Sequence, residues 1–201
     1  MEPSTMAAVI LAAGRSSRLG TFKPLLPFEG RTLVERAVSV FRQNRINDII
    51  VVTGHRKEDL LPVLKDAAVR IAYNEHYDRG MFSSVQVGVR HLRPGCEAFF
   101  VLPVDHALVQ PATIGRLIDA FRRQPERICH PCVNGVRGHP PLIPACLVQE
   151  ILGYSGKGGL RKVLQRRGDL VLDVDVADRS ALVDIDTPED LARLKKAGRP
   201  P

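Results

Sequence analysis

From one end to the other the chain alternates short apolar runs with amphipathic stretches, and this rhythm restricts the fold more than any other feature. Ala7-Ala8-Val9-Ile10-Leu11 is apolar on both faces of an extended segment, as a strand covered on both sides requires, and it ends at a glycine-containing loop. Residues 32–44 read as a helix: Thr32 can cap it, Glu35 stands three residues on, and Leu33, Val34, Ala37, Val38 and Phe41 line one side. A strand over 48–53 follows, then a helix over 57–65 that Pro62 should kink or shorten. Further strands are predicted at 69–73, 98–102, 127–133, 141–143, 170–174 and 181–183. Further helices are predicted at 83–92, 111–123, 147–152, 160–167 and 188–197, with Pro111 at a favoured first-turn position.

Alternation of this kind builds βαβ units: a mostly parallel sheet with helices on both faces. No linker, repeat or low-complexity segment divides 1–201, so one domain with an ordered core over 6–197 is expected. In such folds ligands sit at the carboxyl edge of the sheet, which selects the loops after Leu11, Tyr73 and Leu102.

Composition narrows the function. At 44% hydrophobic and 25% charged residues the chain is globular rather than disordered. Its best apolar run, from Met6, stops at Gly14, well short of the ~20 residues of a membrane helix. Met1-Glu2-Pro3-Ser4-Thr5 lacks the basic patch of a signal peptide, so a cytoplasmic location is expected. The net charge of +7 comes with only 5% aromatic residues and no Trp, which suits an acidic small molecule better than single-stranded nucleic acid. Cys129-His130-Pro131-Cys132 has redox-motif spacing but lies in a strand-like stretch. Cys146 and His139 are near in sequence, but their spacing completes no zinc pattern with it, so the four cysteines are read as ordinary thiols.

The loop after the first strand holds the densest chemistry. In Leu11-Ala12-Ala13-Gly14-Arg15-Ser16-Ser17-Arg18-Leu19-Gly20, small residues let backbone N–H groups approach phosphate oxygens. Ser16 and Ser17 add hydroxyls, and Arg18 and Lys23 add charge. The spacing is neither a Walker loop nor Gly-x-Gly-x-x-Gly. A connection with solvated charges has the same composition.

The order of these residues, Leu-Ala-Ala-Gly-x-Ser-x-Arg-Leu-Gly-x-x-Lys, resembles the signature of the MobA-like nucleotidyltransferases, most closely the molybdenum cofactor cytidylyltransferase branch. Gly80-Met81-Phe82-Ser83-Ser84, Gly138-His139-Pro140 and Asp184-Ile185-Asp186-Thr187-Pro188-Glu189-Asp190-Leu191 follow in matching order. The resemblance implies a three-layer α/β/α, Rossmann-like (GT-A-like) fold. It also implies a Mg²⁺-dependent enzyme that joins the α-phosphate of a nucleoside triphosphate to a phosphorylated small-molecule acceptor. By similarity Leu11, Ala12, Ala13, Gly14, Asn74, Gly80, Ser83 and Ser84 hold the nucleotide. Arg18 and Lys23 grip its phosphates as catalytic groups, His139 lies by the acceptor, and Asp105 (also catalytic) and Asp186 hold the metal. Ala13, where guanylyltransferase relatives tend to carry Gly, favours CTP. Asp186 or Thr187 equally spells a helix cap.

Two departures bear on the acceptor, for which molybdopterin is the first expectation: Ala107 replaces the usual proline two residues after the aspartate, and Ser155-Gly156-Lys157-Gly158-Gly159 replaces an acidic segment. A cytidylyl- or guanylyltransferase acting on a sugar, alcohol or choline phosphate is the alternative within enzymes, and a non-catalytic nucleotide binder the alternative outside them. The basic run from Lys157 to Arg167 is either a solvated face or an attraction for an anionic acceptor.

Overall fold

The computed structural model describes residues 5–16, 19–187, 189–190 and 192. Its strands are β1 (Met6–Ala12), β2 (Pro27–Phe28), β3 (Arg31–Thr32), β4 (Asp48–Thr53), β5 (Arg70–Tyr73), β6 (Ala98–Pro103), β7 (Ile128–Val133), β8 (Val136–Arg137), β9 (Leu142–Pro144) and β10 (Val171–Asp175). Its helices are α1 (Leu33–Arg42), α2 (Lys57–Asp66), α3 (Met81–Arg90), α4 (Pro111–Arg123), α5 (Val148–Gly153) and α6 (Gly159–Arg166). The main sheet runs β10-β7-β9-β6-β1-β4-β5, with β8 on β7. β1 pairs in parallel with β4 and β6, as do β4 with β5 and β7 with β10, while β9 is antiparallel to both its neighbours.

β1 shows why its sequence is apolar throughout. Ala8, Ile10 and Ala12 face a layer that includes Phe41, Leu60 and Ile114 of α1, α2 and α4. Ala7, Val9 and Leu11 face Val85, Ile151 and Val163 of α3, α5 and α6. This is the three-layer α/β/α arrangement expected from the alternation. β4 and β6 leave β1 on opposite sides, so its carboxyl end opens where the strand order switches direction.

Local signals explain most boundaries. Thr32 and Glu35 form the capping box. The Glu35 carboxylate accepts the Thr32 N–H at 2.7 Å, and its hydrogen bonds to Thr32 hold its carboxyl below the usual range. Pro62 lies inside α2 and does not shorten it, because fully buried Leu60 and Leu64 anchor the helix on both sides of it. The strand predicted at 181–183 is instead a 3₁₀ turn, Arg179–Leu182. Its cause is Asp178, a buried carboxylate that accepts the Ser180 N–H at 3.0 Å, the Gln110 N–H at 2.8 Å and the Thr113 hydroxyl at 2.8 Å, and so bends the chain toward the start of α4. Most of the closing helix predicted over 188–197 lies outside the described residues.

Candidate active site

A cavity of about 250 Å³ opens at the carboxyl ends of β1 and β6. Leu11 to Gly14, Ser16 and Lys23 line it from the first loop, Gly80 and Ser84 from the cap and first turn of α3, and Asp105 from the turn after β6. All three loops at the carboxyl edge of the sheet thus contribute, the one after β5 through Tyr77 and the start of α3.

The first loop is fixed from both ends. The Ser16 hydroxyl accepts the Lys23 N–H at 3.0 Å, which brings Lys23 beside the end of β1's loop. Ala13 offers its carbonyl to the His55 N–H at 3.1 Å. A Cβ on Gly54 would stand 2.8 Å from the Ala13 Cβ and 2.9 Å from its carbonyl oxygen, so only glycine lets the end of β4 come this close. Gly54 is a packing position behind the first loop that the sequence reading missed; the clue was a lone glycine directly after a buried strand.

Lys23 is buried, and its ammonium donates to Asp105 Oδ2 at 3.2 Å and to Asp186 Oδ1 at 2.7 Å. Three segments far apart in sequence thus meet on one cation. A further bond ties two of them: the Ile185 N–H donates to the Asp105 carbonyl at 3.2 Å. Asp184, two residues before Asp186, is exposed. Thr187 is the cap: its hydroxyl accepts the Asp190 N–H at 3.2 Å, while the Asp190 carboxylate accepts the Thr187 N–H at 2.9 Å. Asp186 is therefore turned to Lys23 rather than spent on the cap.

Asn74 and Ser83 stand beside the cavity rather than in its wall. Asn74 is buried and donates to the hydroxyls of Ser83 at 2.8 Å and Ser84 at 2.9 Å, while its carbonyl oxygen accepts the His76 N–H. Its geometry positions the start of α3, leaving Ser84 in the wall. His139 is held against His106, next to Asp105, with ring centroids 4.3 Å apart. Burial first, then the neighbouring imidazole of His106, push its pKa down to about 4, so it offers no positive charge at neutral pH. Arg18 lies outside the described residues. Cys129 is a free buried thiol pushed up to about 11 by burial, which fits an inert strand residue.

Oxygen donors suit a magnesium ion, which takes one or two carboxylates together with phosphates and waters. Asp105 and Asp186 already reach one cation, and Asp105 Oδ1 is buried with no hydrogen-bond partner. The donor set fits. Among the described residues no group of three or more His, Cys, Asp or Glu forms a metal site, so substrate phosphates would have to complete the coordination.

A mostly parallel sheet with a small-residue loop, a buried ammonium and paired carboxylates at its switch point defines a nucleotide-handling α/β enzyme. The MobA-like NTP transferase domain matches residues 8–171, and the chain belongs to that family of nucleotidyltransferases. It is 32% identical over 200 residues to the nicotine blue oxidoreductase of Paenarthrobacter nicotinovorans, covering 94% of this chain and 96% of that protein. It is 27% identical over 199 residues to the molybdenum cofactor cytidylyltransferase of Escherichia coli, covering 96% and 97%. The fold superposes on a nucleotidyl transferase from Methanothermobacter with a TM-score of 0.80 at 25% identity, covering 95% and 96%.

Proposed function

We propose that the chain transfers a nucleoside monophosphate, from CTP by preference, to a phosphorylated small-molecule acceptor such as molybdopterin. The acceptor phosphate oxygen bonds to the α-phosphorus as the bond to pyrophosphate breaks. A phosphate nucleophile is already ionised at neutral pH, so the protein's task is positioning and charge neutralisation. The backbone of Ala12 to Gly14 lies against the nucleotide, and Lys23 with Arg18 neutralises the leaving phosphates. Asp105 and Asp186 would hold Mg²⁺, which would supply Lewis-acid stabilisation of charge on the triphosphate. The observation that carries this reading is the meeting of Lys23, Asp105 and Asp186 at the foot of a cavity walled by the first loop. The likeness to a molybdenum cofactor cytidylyltransferase supports both the CTP preference and the acceptor class.

Thermal shift with CTP, GTP, ATP and UTP, each with and without Mg²⁺, tests it. CTP with Mg²⁺ should stabilise most, and a shift with none of the four would overturn the reading. Asp105→Asn should remove pyrophosphate release while keeping the fold. A second reading rests on the likeness to a nicotine blue oxidoreductase, in which the same cavity serves a redox reaction on a small molecule. Oxidation of NADH or NADPH with nicotine blue as acceptor, in the absence of any triphosphate, would favour it.

A further inference from the structure

A second cavity, of about 220 Å³, is lined by residues of β2, α1 and the start of α4. It shares no lining residue with the cavity at the ends of β1 and β6. Phe28, Leu108, Val109 and Pro111 give it mostly apolar walls, and Arg36 is the one charged residue of its lining. The Arg36 guanidinium stands 5.0 Å from the Phe28 ring centroid, and its Nη1 donates to Glu29 Oε2 at 2.9 Å. Nε is buried without a hydrogen-bond partner, and Nη2 makes no hydrogen bond among the described residues. The Nε–Nη2 edge, on which a guanidinium can grip a carboxylate through two parallel bonds, is thus unspent, although buried donors are nearly always paired.

The lining is set before anything binds. The Arg36 side chain is only 21% exposed and is pinned by the Phe28 ring and by Glu29. Gln110 and Ser180, also in the lining, are held by one carboxylate: Asp178 accepts the N–H of each, at 2.8 Å and 3.0 Å. That carboxylate is spent on its own donors and does not line the cavity. Charge and surface then decide what fits. One guanidinium shared with Glu29 balances a single negative charge, whereas a phosphate dianion would be left undercompensated against apolar walls. A body of a few carbons gains by covering Phe28 and Leu108. The volume lies below the roughly 300–1,000 Å³ of sites for drug-sized molecules, so the occupant is small.

We propose that this cavity is a ligand site for a small organic monocarboxylate, its carboxylate bridging Nε and Nη2 of Arg36 and its apolar body lying on Phe28, Leu108 and Val109. The inference goes beyond the transferase reading and does not depend on it. The Val109 N–H donates to the His106 carbonyl at 3.3 Å, which joins this wall to the turn that carries Asp105. An occupant therefore rests on the segment that leads from the metal carboxylate to α4.

The test uses the full-length protein with ¹⁵N-labelled arginine and three probes, benzoate, benzamide and inorganic phosphate, each with and without saturating CTP and Mg²⁺. Benzoate should move the Arg36 Nε–H resonance, and benzamide and phosphate should bind about tenfold or more weakly than benzoate. The benzoate shift should persist when CTP and Mg²⁺ are present, since the two cavities have no lining residue in common. Arg36→Gln should weaken benzoate about tenfold or more by calorimetry. Ala112→Leu, at an exposed position of the lining, should block the cavity while leaving the guanidinium in place, and it decides the matter if Arg36→Gln does not fold. No shift at about 10 mM benzoate, equal affinity for benzamide or phosphate, undiminished benzoate affinity in either variant, or displacement of benzoate by CTP would each overturn the proposal. Failure of CTP to bind would remove the transferase reading alone, and the benzoate titration would still judge the second cavity.

Discussion

Single side chains set the chemistry, and the ones that matter most here divide into those that touch the cavity and those that hold others still. Lys23 belongs to the first kind and was legible, because a lysine a few residues past a small-residue loop suits phosphate. Asp178 belongs to the second and was not. Nothing in Ala177-Asp178-Arg179-Ser180 marks a buried acid, since its partners Gln110 and Thr113 lie 65 or more residues away. Asp178→Ala strands the Gln110 and Ser180 N–H groups and the Thr113 hydroxyl in the interior. It should cost about 3 kcal/mol, read as a lower denaturation midpoint with an unchanged slope. Asn74, which the resemblance makes a nucleotide contact, donates its amide to Ser83 and Ser84 at the start of α3 and accepts the His76 N–H, an arrangement no sequence spacing shows.

At the level of elements, periodicity and caps carried most of the information. α4 runs Pro111–Arg123 as its proline and apolar spacing dictate, and α1 begins at its capping box. What periodicity could not show is how closely elements approach. Gly88 in α3 sits against β1, where an added Cβ would meet Val9 Cγ1 at 2.2 Å. Gly88→Ala should therefore destabilise by about 1–3 kcal/mol despite alanine's better helix propensity, as chemical denaturation would show. Gly54→Ala acts on the loop instead. It should push Ala13 aside and abolish the CTP-induced thermal shift while lowering the melting temperature of the free protein only modestly. The 3₁₀ turn at Arg179–Leu182 was misread as a strand because its apolar residues Ala181-Leu182-Val183 mimic one when the buried carboxylate before them goes unseen.

For the whole molecule, order along the chain gave the layers, the parallel sheet and the edge that carries the cavity, while the pairing of Lys23 with Asp186 needed coordinates. Stability should also respond to pH through the sheet itself. His130 of β7 is pushed down to about 4, chiefly by burial and then by the Arg137 guanidinium, against some help from Asp173. Unfolded, the ring takes its proton near 6.5, so between that pH and about 4 the unfolded chain binds the extra proton. The stability of the neutral, partly buried ring is complete above 6.5 and falls as pH drops to about 4, by roughly 3 kcal/mol at most. His130→Gln should flatten this part of the acid limb in melts taken across that interval, and an unchanged limb would show that His130 does not shape it.

The clasp between one ammonium and two carboxylates also constrains the order in which small ions and substrate arrive. With Lys23 already balancing Asp105 and Asp186, a solitary divalent ion meets donors whose charge is largely spoken for. The same ion escorted by a triphosphate brings anions that can draw the lysine to themselves. Magnesium chloride alone should hence leave the melting temperature nearly unmoved, CTP alone should raise it a little, and the two together should raise it by more than the sum. Such synergy would make the enzyme a detector of the magnesium–nucleotide complex rather than of either component.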